Sequence, residues 1–367
     1  MTQRVHLVGP VFPLPGGIAQ HNARLATELE ARGFHVVVES WSHQYPKSLY
    51  RGEAQVPSSK PEVDQPSIVL RELKWFSPWS WWRAGTRAKS ADLLVLTIPT
   101  PFHAIPYWLL TRALSPACFV VGIAHNPNPH ETSPFDRALT RVMASLCDRI
   151  VVHNDVGRAE LEKSVGKETP ISVVNLPSPW SPLNTRRKSK GRGANLRALF
   201  VGTVRPYKGL DVLLEALALA PDIELVVAGD FWEPIEKYRQ LVTRLGLNSR
   251  VTLKPGYVPQ EEFADLFDNA DVLILPYRSG SGSILRELAF DHGVPVIATN
   301  AGSIAETIVD GQNGYVIDSA TPGNISAALH RASKPGVWDQ LVKGVVRLRR
   351  DNDALWDEYC NVITNSD

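Results

Sequence analysis

Two short stretches combine positive charge with main-chain amides that an anion could use. In "TVRPYKGLDVLLEAL" (203–217), Arg205 and Lys208 stand between an apolar run and a helix-forming segment. In "YRSGSGSILRELAF" (277–290), Ser279, Gly280 and Gly282 precede Ser283 and Ile284, and one acid, Glu287, lies about one turn into the helix that follows. Cations at a helix N-terminus suit a diphosphate, because opposite charge, fixed amides and the helix dipole all act in the same direction. A carboxylate one turn further can accept hydrogen bonds from a ribose diol. The plain alternatives are solubilising cations in a loop and a surface acid in a first helical turn. Both stretches follow apolar runs that read as buried strands, and that position favours a ligand.

Other residues could share the chemistry. Gly16 and Gly17 end a loop, "PVFPLPGGIAQHN", and open a helix, where backbone can approach a ligand closely. His125 ends the apolar run "CFVVGIA", with His130 and Glu131 shortly after it. His21 sits on the first helix and His153 follows "RIVV". One or two of these histidines at most would act in a reaction, the others being structural. "DND" (351–353) has a spacing that can hold a metal–diphosphate, but it falls inside the final helical segment, so no metal is expected.

These loops need a frame, and the hydropathy supplies one. Near-continuously apolar runs at 4–9, 35–39, 92–98, 118–124 and 149–153, and again at 197–203, 223–229, 250–256, 270–276, 294–299 and 314–318, read as strands covered on both faces. Amphipathic stretches such as 17–33 and 209–220 alternate with them. Between the two series, 178–196 is rich in Pro, Ser, Gly and cations and reads as a linker, its basic run at 186–192 a solvated loop in preference to a site for anionic lipid. The expected fold class is α/β: two Rossmann-like doubly wound domains, 1–180 and 181–347, facing each other across a cleft, with a C-terminal helix at about 348–367 crossing back to complete the first.

The totals are compatible with this. A chain of 367 residues exceeds one comfortable core, and a net charge of +1 gives no support for a chain-wide nucleic-acid or membrane partner. Three scattered cysteines without a CxxC pair argue for a reduced, cytoplasmic compartment. The opening residues have too short an apolar run for a signal peptide, and no stretch approaches a membrane span. The region 41–108 holds "LKWFSPWSWWRAG", with Trp75, Trp79, Trp81 and Trp82. Tryptophans stack on sugar rings, lie at membrane interfaces or pack a helix onto a core. The core reading is preferred for at least two of the four.

The segments "LFVGTVRPYKGLDVLLEAL", "ELVVAG", "VTLKPGYVPQEEFADLFDNADVLILPYRS" and "SILRELAFDHGVPVIATNAGSIAETIVDGQNGYVID" closely resemble the carboxyl-terminal domain of retaining glycosyltransferases of family 4. "GPVFPLPGGIAQHNARLATELEARGFHV" and "GIAHNPNPHE" resemble the amino-terminal domain more loosely. The resemblance implies the two-domain GT-B fold, a nucleotide-diphosphate sugar donor (a UDP- or GDP-sugar) and transfer with retention to a hydroxyl on a glycan or lipid-linked glycan. It implies no cofactor. By the same resemblance Arg205 and Lys208 bind the donor diphosphate, Glu287 is the second acid of an E-x7-E motif and holds the ribose, and the amides at Ser283 and Ile284 lie near the phosphates. His125 lies near the transferred sugar, and Gly17 belongs to a glycine loop beside the diphosphate. The acceptor side would include His21, His130, Trp81 and Trp82, with peripheral contact at the inner membrane face left open. The motif's first acid is replaced by Ser279, and backbone from Gly280 to Gly282 would have to substitute for it. Two other readings stay open: a sugar-nucleotide sensor that has lost its chemistry, and a GT-B-like epimerase.

Overall fold

The computed structural model describes residues 3–44, 61, 63–125, 136–165, 169–180, 195–280, 283–349 and 351–365. The chain divides into two compact units, Met1–Trp180 with Asp351–Asp367, and Ser181–Arg350. The first unit carries β1 (Arg4–Val8), β2 (His35–His43), β3 (Val69–Lys74), β4 (Leu93–Ile98), β5 (Phe119–Ala124), β6 (Arg149–Val152) and β7 (Ile171–Val173). They form one sheet in the order β3-β2-β1-β4-β5-β6-β7, parallel throughout. Its helices are α1 (Gly17–Ala31), α2 (Pro78–Arg87), α3 (Ala104–Thr111), α4 (Asp136–Ser145) and α5 (Asp155–Val165).

The second unit repeats the plan with β8 (Leu196–Val201), β9 (Ile223–Gly229), β10 (Val251–Pro255), β11 (Val272–Leu275), β12 (Val296–Thr299) and β13 (Gly314–Ile317). Their order is β10-β9-β8-β11-β12-β13, again parallel. Its helices are α6 (Leu210–Ala218), α7 (Ile235–Arg244), α8 (Gln260–Asp268), α9 (Ile284–Asp291), α10 (Pro322–Ser333) and α11 (Val337–Leu348). A last helix, α12 (Asn352–Thr364), belongs to the first unit. Two doubly wound parallel sheets are therefore present, as the alternating hydropathy predicts. Two edge strands, β3 and β7, carry no such signal, because β3 is half exposed and β7 is only three residues long.

Helices cover both faces of the first sheet. On one face Leu25, Ala26 and Leu29 of α1 pack with Trp356, Tyr359 and Ile363 of α12. On the other, Trp81 and Ala84 of α2 and Tyr107 and Leu110 of α3 pack over β4 and β5. The α1 helix starts where Gly16 takes φ 104°, a left-handed value that favours glycine. A buried polar cluster fixes that start: Thr97 Oγ1 donates to Asn22 Oδ1 at 2.9 Å and Asn22 Nδ2 to the Pro10 carbonyl at 3.0 Å.

Within 336–364, α11 ends at Leu348 and α12 begins at Asn352, where Asp351 caps it by accepting from the Asp353 amide at 3.0 Å. Asn352 is buried, accepting from the Ser178 amide at 2.8 Å and donating to the Ser178 carbonyl at 3.1 Å. "DND" is thus the start of a helix, and its polar groups pin α12 to the end of the first unit's chain run.

In the second unit, β8 and β11 are neighbours at the point where strand order reverses. They are joined at their amino ends by an ion pair whose acid is buried and whose arginine is partly exposed. Asp271, with no exposed surface, receives Arg197 Nη2 at 2.9 Å, Arg197 Nε at 3.1 Å and the Arg197 amide at 2.9 Å. Removing the acid leaves the Arg197 amide and a partly exposed guanidinium without their acceptor. Asp271→Ala is expected to lower the unfolding free energy by about 2 kcal/mol. Denaturant unfolding measures this, and a loss within about 0.5 kcal/mol would contradict the role given to the pair.

Candidate active site

Loops leaving the carboxyl ends of β8 and β11 lie side by side, where open α/β sheets hold ligands. The β8 loop makes one turn, Pro206–Lys208, and Gly209 at φ 71° then starts α6. A Cβ on Gly209 would stand 2.1 Å from the Pro276 carbonyl oxygen, so the two loops meet backbone to backbone. Arg278 fastens them. Its amide donates to the Tyr207 carbonyl at 2.7 Å, and its guanidinium donates to the Pro206 carbonyl and to Asp211 at 2.7 Å.

This arrangement sets both cations. The Arg205 guanidinium lies 3.8 Å from the ring centre of Trp232, which follows β9. The Lys208 ammonium is 5.3 Å from the ring centre of Tyr277. A Cβ on Gly202 would be 3.7 Å from that ammonium and 3.3 Å from Leu285 Cδ1 in the first turn of α9. Lys208 is therefore next to the helix that the Ser/Gly turn opens. Burial pulls its pKa below the usual lysine range, with the Arg205 charge adding to the effect and Tyr207 opposing it.

The α9 helix begins after Ser283, whose backbone is extended and whose side chain makes no cap bond. The first amides of a helix have no carbonyl partner within it, so those of Ile284 and Leu285 are available to an anion. Gly280 lies close to Ile304, where a Cβ would be 2.8 Å from the end of that side chain, Cδ1. Ser279 is exposed. Glu287 Oε1 accepts from Arg286 Nε at 2.9 Å, Arg286 Nη2 at 2.7 Å and Thr307 Oγ1 at 3.3 Å. The buried Arg286 is in turn held by the carbonyls of Ser303 and Ile304, at 2.8 and 2.9 Å. Gly282 lies outside the described residues.

In the first unit, Gly16 and Gly17 are exposed at the start of α1. His125, at the end of β5, places Nδ1 3.2 Å from Nε2 of His153, at the end of the neighbouring β6. The Nε2 of His125 is buried without a hydrogen-bond partner among the described residues. Burial pulls both histidines well down the titration scale, His153 to about 4, and His21 with them.

Two acceptor-side expectations are corrected. His21 is an interior residue, stacked on Trp356 at 5.2 Å and edge-on to His125 at 5.1 Å, because it lies on the sheet-facing side of α1. Trp81 is in the core, its Nε1 donating to the Lys74 carbonyl at 3.0 Å, because it shares the inward stripe of α2 with Ala84 and Ala88. Trp82 is on the surface, and His130 and Glu131 lie outside the described residues. The sequence reading missed Trp232, Arg278 and Arg286. A tryptophan just after a strand and an arginine beside Glu287 were the available signals.

The buried histidines make acid stability predictable. His153, His103 and His6, all in the first unit, are lowered by burial to about 4 from an ordinary 6.5. Below about pH 6.5 the unfolded chain binds protons that the folded unit excludes, so stability falls as pH drops towards 4 and is level above about 7. At pH 5 each such histidine contributes a loss of about 2 kcal/mol. Calorimetric scans at pH 7.5 and 5 should show the transition of the first unit moving to lower temperature, by less in His153→Gln. A transition that does not move contradicts this.

Comparison with known proteins agrees with the architecture. Residues 15–177 match the family described as Glycosyltransferase Family 4, and residues 184–336 match Glycosyl transferases group 1. A D-inositol 3-phosphate glycosyltransferase of Streptomyces bingchenggensis is 29% identical over 220 residues, 54% of this chain and 48% of that protein. The chain spans about half the length of the curated relatives it matches. Among solved structures, sucrose-phosphate synthase from Thermosynechococcus elongatus superposes with a TM-score of 0.78 at 18% identity, over 98% of both chains. HepE of Anabaena, in complex with UDP and glucose, has a TM-score of 0.74 at 16% identity, over 99% of both chains. With both of its α/β units matched, this chain belongs to the family 4 glycosyltransferases (glycosyl transferases group 1) and has their GT-B fold.

Proposed function

We propose that the chain is a retaining glycosyltransferase that moves a sugar from a nucleotide-diphosphate sugar, a UDP- or GDP-sugar, to a hydroxyl of a glycan or lipid-linked glycan, without a metal. One observation carries the reading: Lys208 is fixed next to the first turn of α9, with Arg205 held against Trp232 on the same β8 loop, at the reversal point of the second sheet. Family membership supports it, and the UDP held by HepE supports a uridine donor.

The reaction breaks the bond between the anomeric carbon and a phosphate oxygen, and negative charge gathers on the departing diphosphate. Two cations and fixed amides stabilise that charge more in the transition state than in the bound donor. The acceptor hydroxyl attacks from the face the diphosphate leaves. Its oxygen bonds to the anomeric carbon and its proton passes to the leaving phosphate oxygen, so configuration is retained without a side-chain base. His125, neutral and tied to His153, orients the sugar. Glu287, its carboxylate held by Arg286, receives the ribose hydroxyls.

Ser279 favours one other reading. An exposed serine stands where the family carries an acid, as in a protein that binds sugar nucleotides without transforming them. Incubation with each donor, with and without acceptors, separates the two, since a sensor neither transfers nor hydrolyses. The transferase reading predicts that one nucleotide sugar raises the melting temperature and that its product keeps the donor's anomeric configuration, by NMR, with EDTA present. Arg205→Ala and Lys208→Ala should each lower turnover roughly tenfold or more, about 1.4 kcal/mol per factor of ten. Glu287→Ala should bring the affinities for the ribonucleotide and its 2′-deoxy form within a factor of about two of each other. Unchanged turnover in both cation variants, or an inverted product, contradicts the mechanism.

A further inference from the structure

Arg278 and Arg286, which brace the candidate site, are spent on acceptors: Arg278 on Asp211 and the Pro206 carbonyl, Arg286 on Glu287 and the carbonyls of Ser303 and Ile304. Arg205 differs. Among the described residues its side chain forms no ion pair and donates to no acceptor, and it lies instead over the ring of Trp232, 3.8 Å from the centre. The acids on the neighbouring segments are engaged elsewhere. Asp230 Oδ2 accepts from Trp232 Nε1 at 3.0 Å. Glu233 accepts from Lys237 at 2.7 Å and from the Tyr238 hydroxyl at 2.6 Å. Asp211 is taken by Arg278 at 2.7 Å. A guanidinium therefore stands at the end of β8 with its charge unmatched and its donors unspent, held by an aromatic face.

Backbone puts the ring there. β8 and β9 pair in parallel, with Val201 beside Ala228, and a Cβ on Gly229 would stand 1.9 Å from the Gly202 carbonyl oxygen, so the strand ends touch. The pairing then continues into the loops in the same register, with a bridge between Val204 and Phe231. The Val204 amide donates to the Asp230 carbonyl at 2.7 Å, and the Trp232 amide donates to the Val204 carbonyl at 3.1 Å. The next residues of that register are Arg205 and Trp232, and Arg205 is extended, at φ −130° and ψ 155°. Paired residues of adjacent strands direct their side chains to the same face of the sheet. Arg205 and Trp232 are thus a cross-strand pair beyond the formal strand ends, and Asp230 fixes the plane of the indole. Tryptophan offers the strongest ring face to a cation. A carboxylate at this place would also hold the arginine, but it would occupy the guanidinium fork and cancel its charge, so that a phosphate would have to displace it. A ring does neither.

We propose that Trp232 is a positioning residue for the diphosphate of the donor: its ring aims Arg205 while leaving the whole guanidinium fork to the phosphate oxygens. This rests on the reading of Arg205 as a ligand of the donor diphosphate. The test is a double-mutant cycle on the full chain, read by isothermal titration with UDP and with GDP. Trp232→Leu should weaken the binding of the nucleoside diphosphate that the parent chain takes by about fivefold. Trp232→Phe, which keeps a ring face and loses only the indole nitrogen, should stay within about twofold of the parent. In an Arg205→Ala background Trp232→Leu should add no further loss, because the ring then has nothing to hold. Trp232→Gln serves as a second ring-removing variant, and circular dichroism and melting identify those that fold. Parent-like affinity in a folded variant without the ring overturns the proposal. So does a loss of the same size in the Arg205→Ala background, which would give the ring to the nucleobase or to the fold. The two ideas fail differently. If neither nucleotide binds the parent chain, or if Arg205→Ala binds as the parent does, the reading of Arg205 falls and the proposal with it. If Arg205→Ala weakens binding and the cycle shows no coupling, that reading stands and the proposal alone falls.

Discussion

The candidate site of the second unit depends on one constraint: β8 and β11, far apart in sequence, must lie in register as neighbours. Asp271 and Arg197 join them at the entry side of the sheet. At the exit side Gly209 meets the Pro276 carbonyl, and Arg278 spans the two loops. With both ends fastened, a cationic turn and a helix start that share no local sequence become one surface. Neither has a strong ligand signature by itself, since exposed cations are common and every helix has open amides at its start. Held together by rigid backbone, they can act on the same charge without reorganising when it develops.

The first unit uses a different means. Its clustered histidines are neutral chiefly because they are buried, with neighbouring histidines lowering His125 and His21 further. His125 presents one nitrogen to His153 and leaves the other without a partner among the described residues, while α12 closes over the cluster through Trp356 and Tyr359. That helix comes from the end of the chain and is held by Asn352 against Ser178. A neutral imidazole of fixed orientation is suited to holding a polar group in place and poorly suited to strong proton transfer. This fits a reaction in which the leaving phosphate takes the proton.

Much of the fold was legible because parallel strands buried on both faces are near-continuous apolar runs, as in β4 and β11. The edge strands were not, since β3 has one buried residue in six. The end of α11 at Leu348 and the start of α12 at Asn352 escaped because apolar spacing continues on either side. In the site, Arg205, Lys208 and Glu287 stood out through position after a strand. Arg278 and Trp232 did not, since their roles come from contacts between separate loops. The tryptophans show the same limit. Trp81 and Trp82 are adjacent, yet one is core and the other surface, and only the period set by Ala84 and Ala88 tells them apart.

The most direct measurement of the central claim is a crystal structure with the nucleoside diphosphate that most raises the melting temperature. The account predicts the terminal phosphate within about 3 Å of Arg205 or Lys208 and of the first amides of α9, with the ribose against Glu287. A diphosphate bound elsewhere, touching neither cation nor the start of that helix, would contradict it.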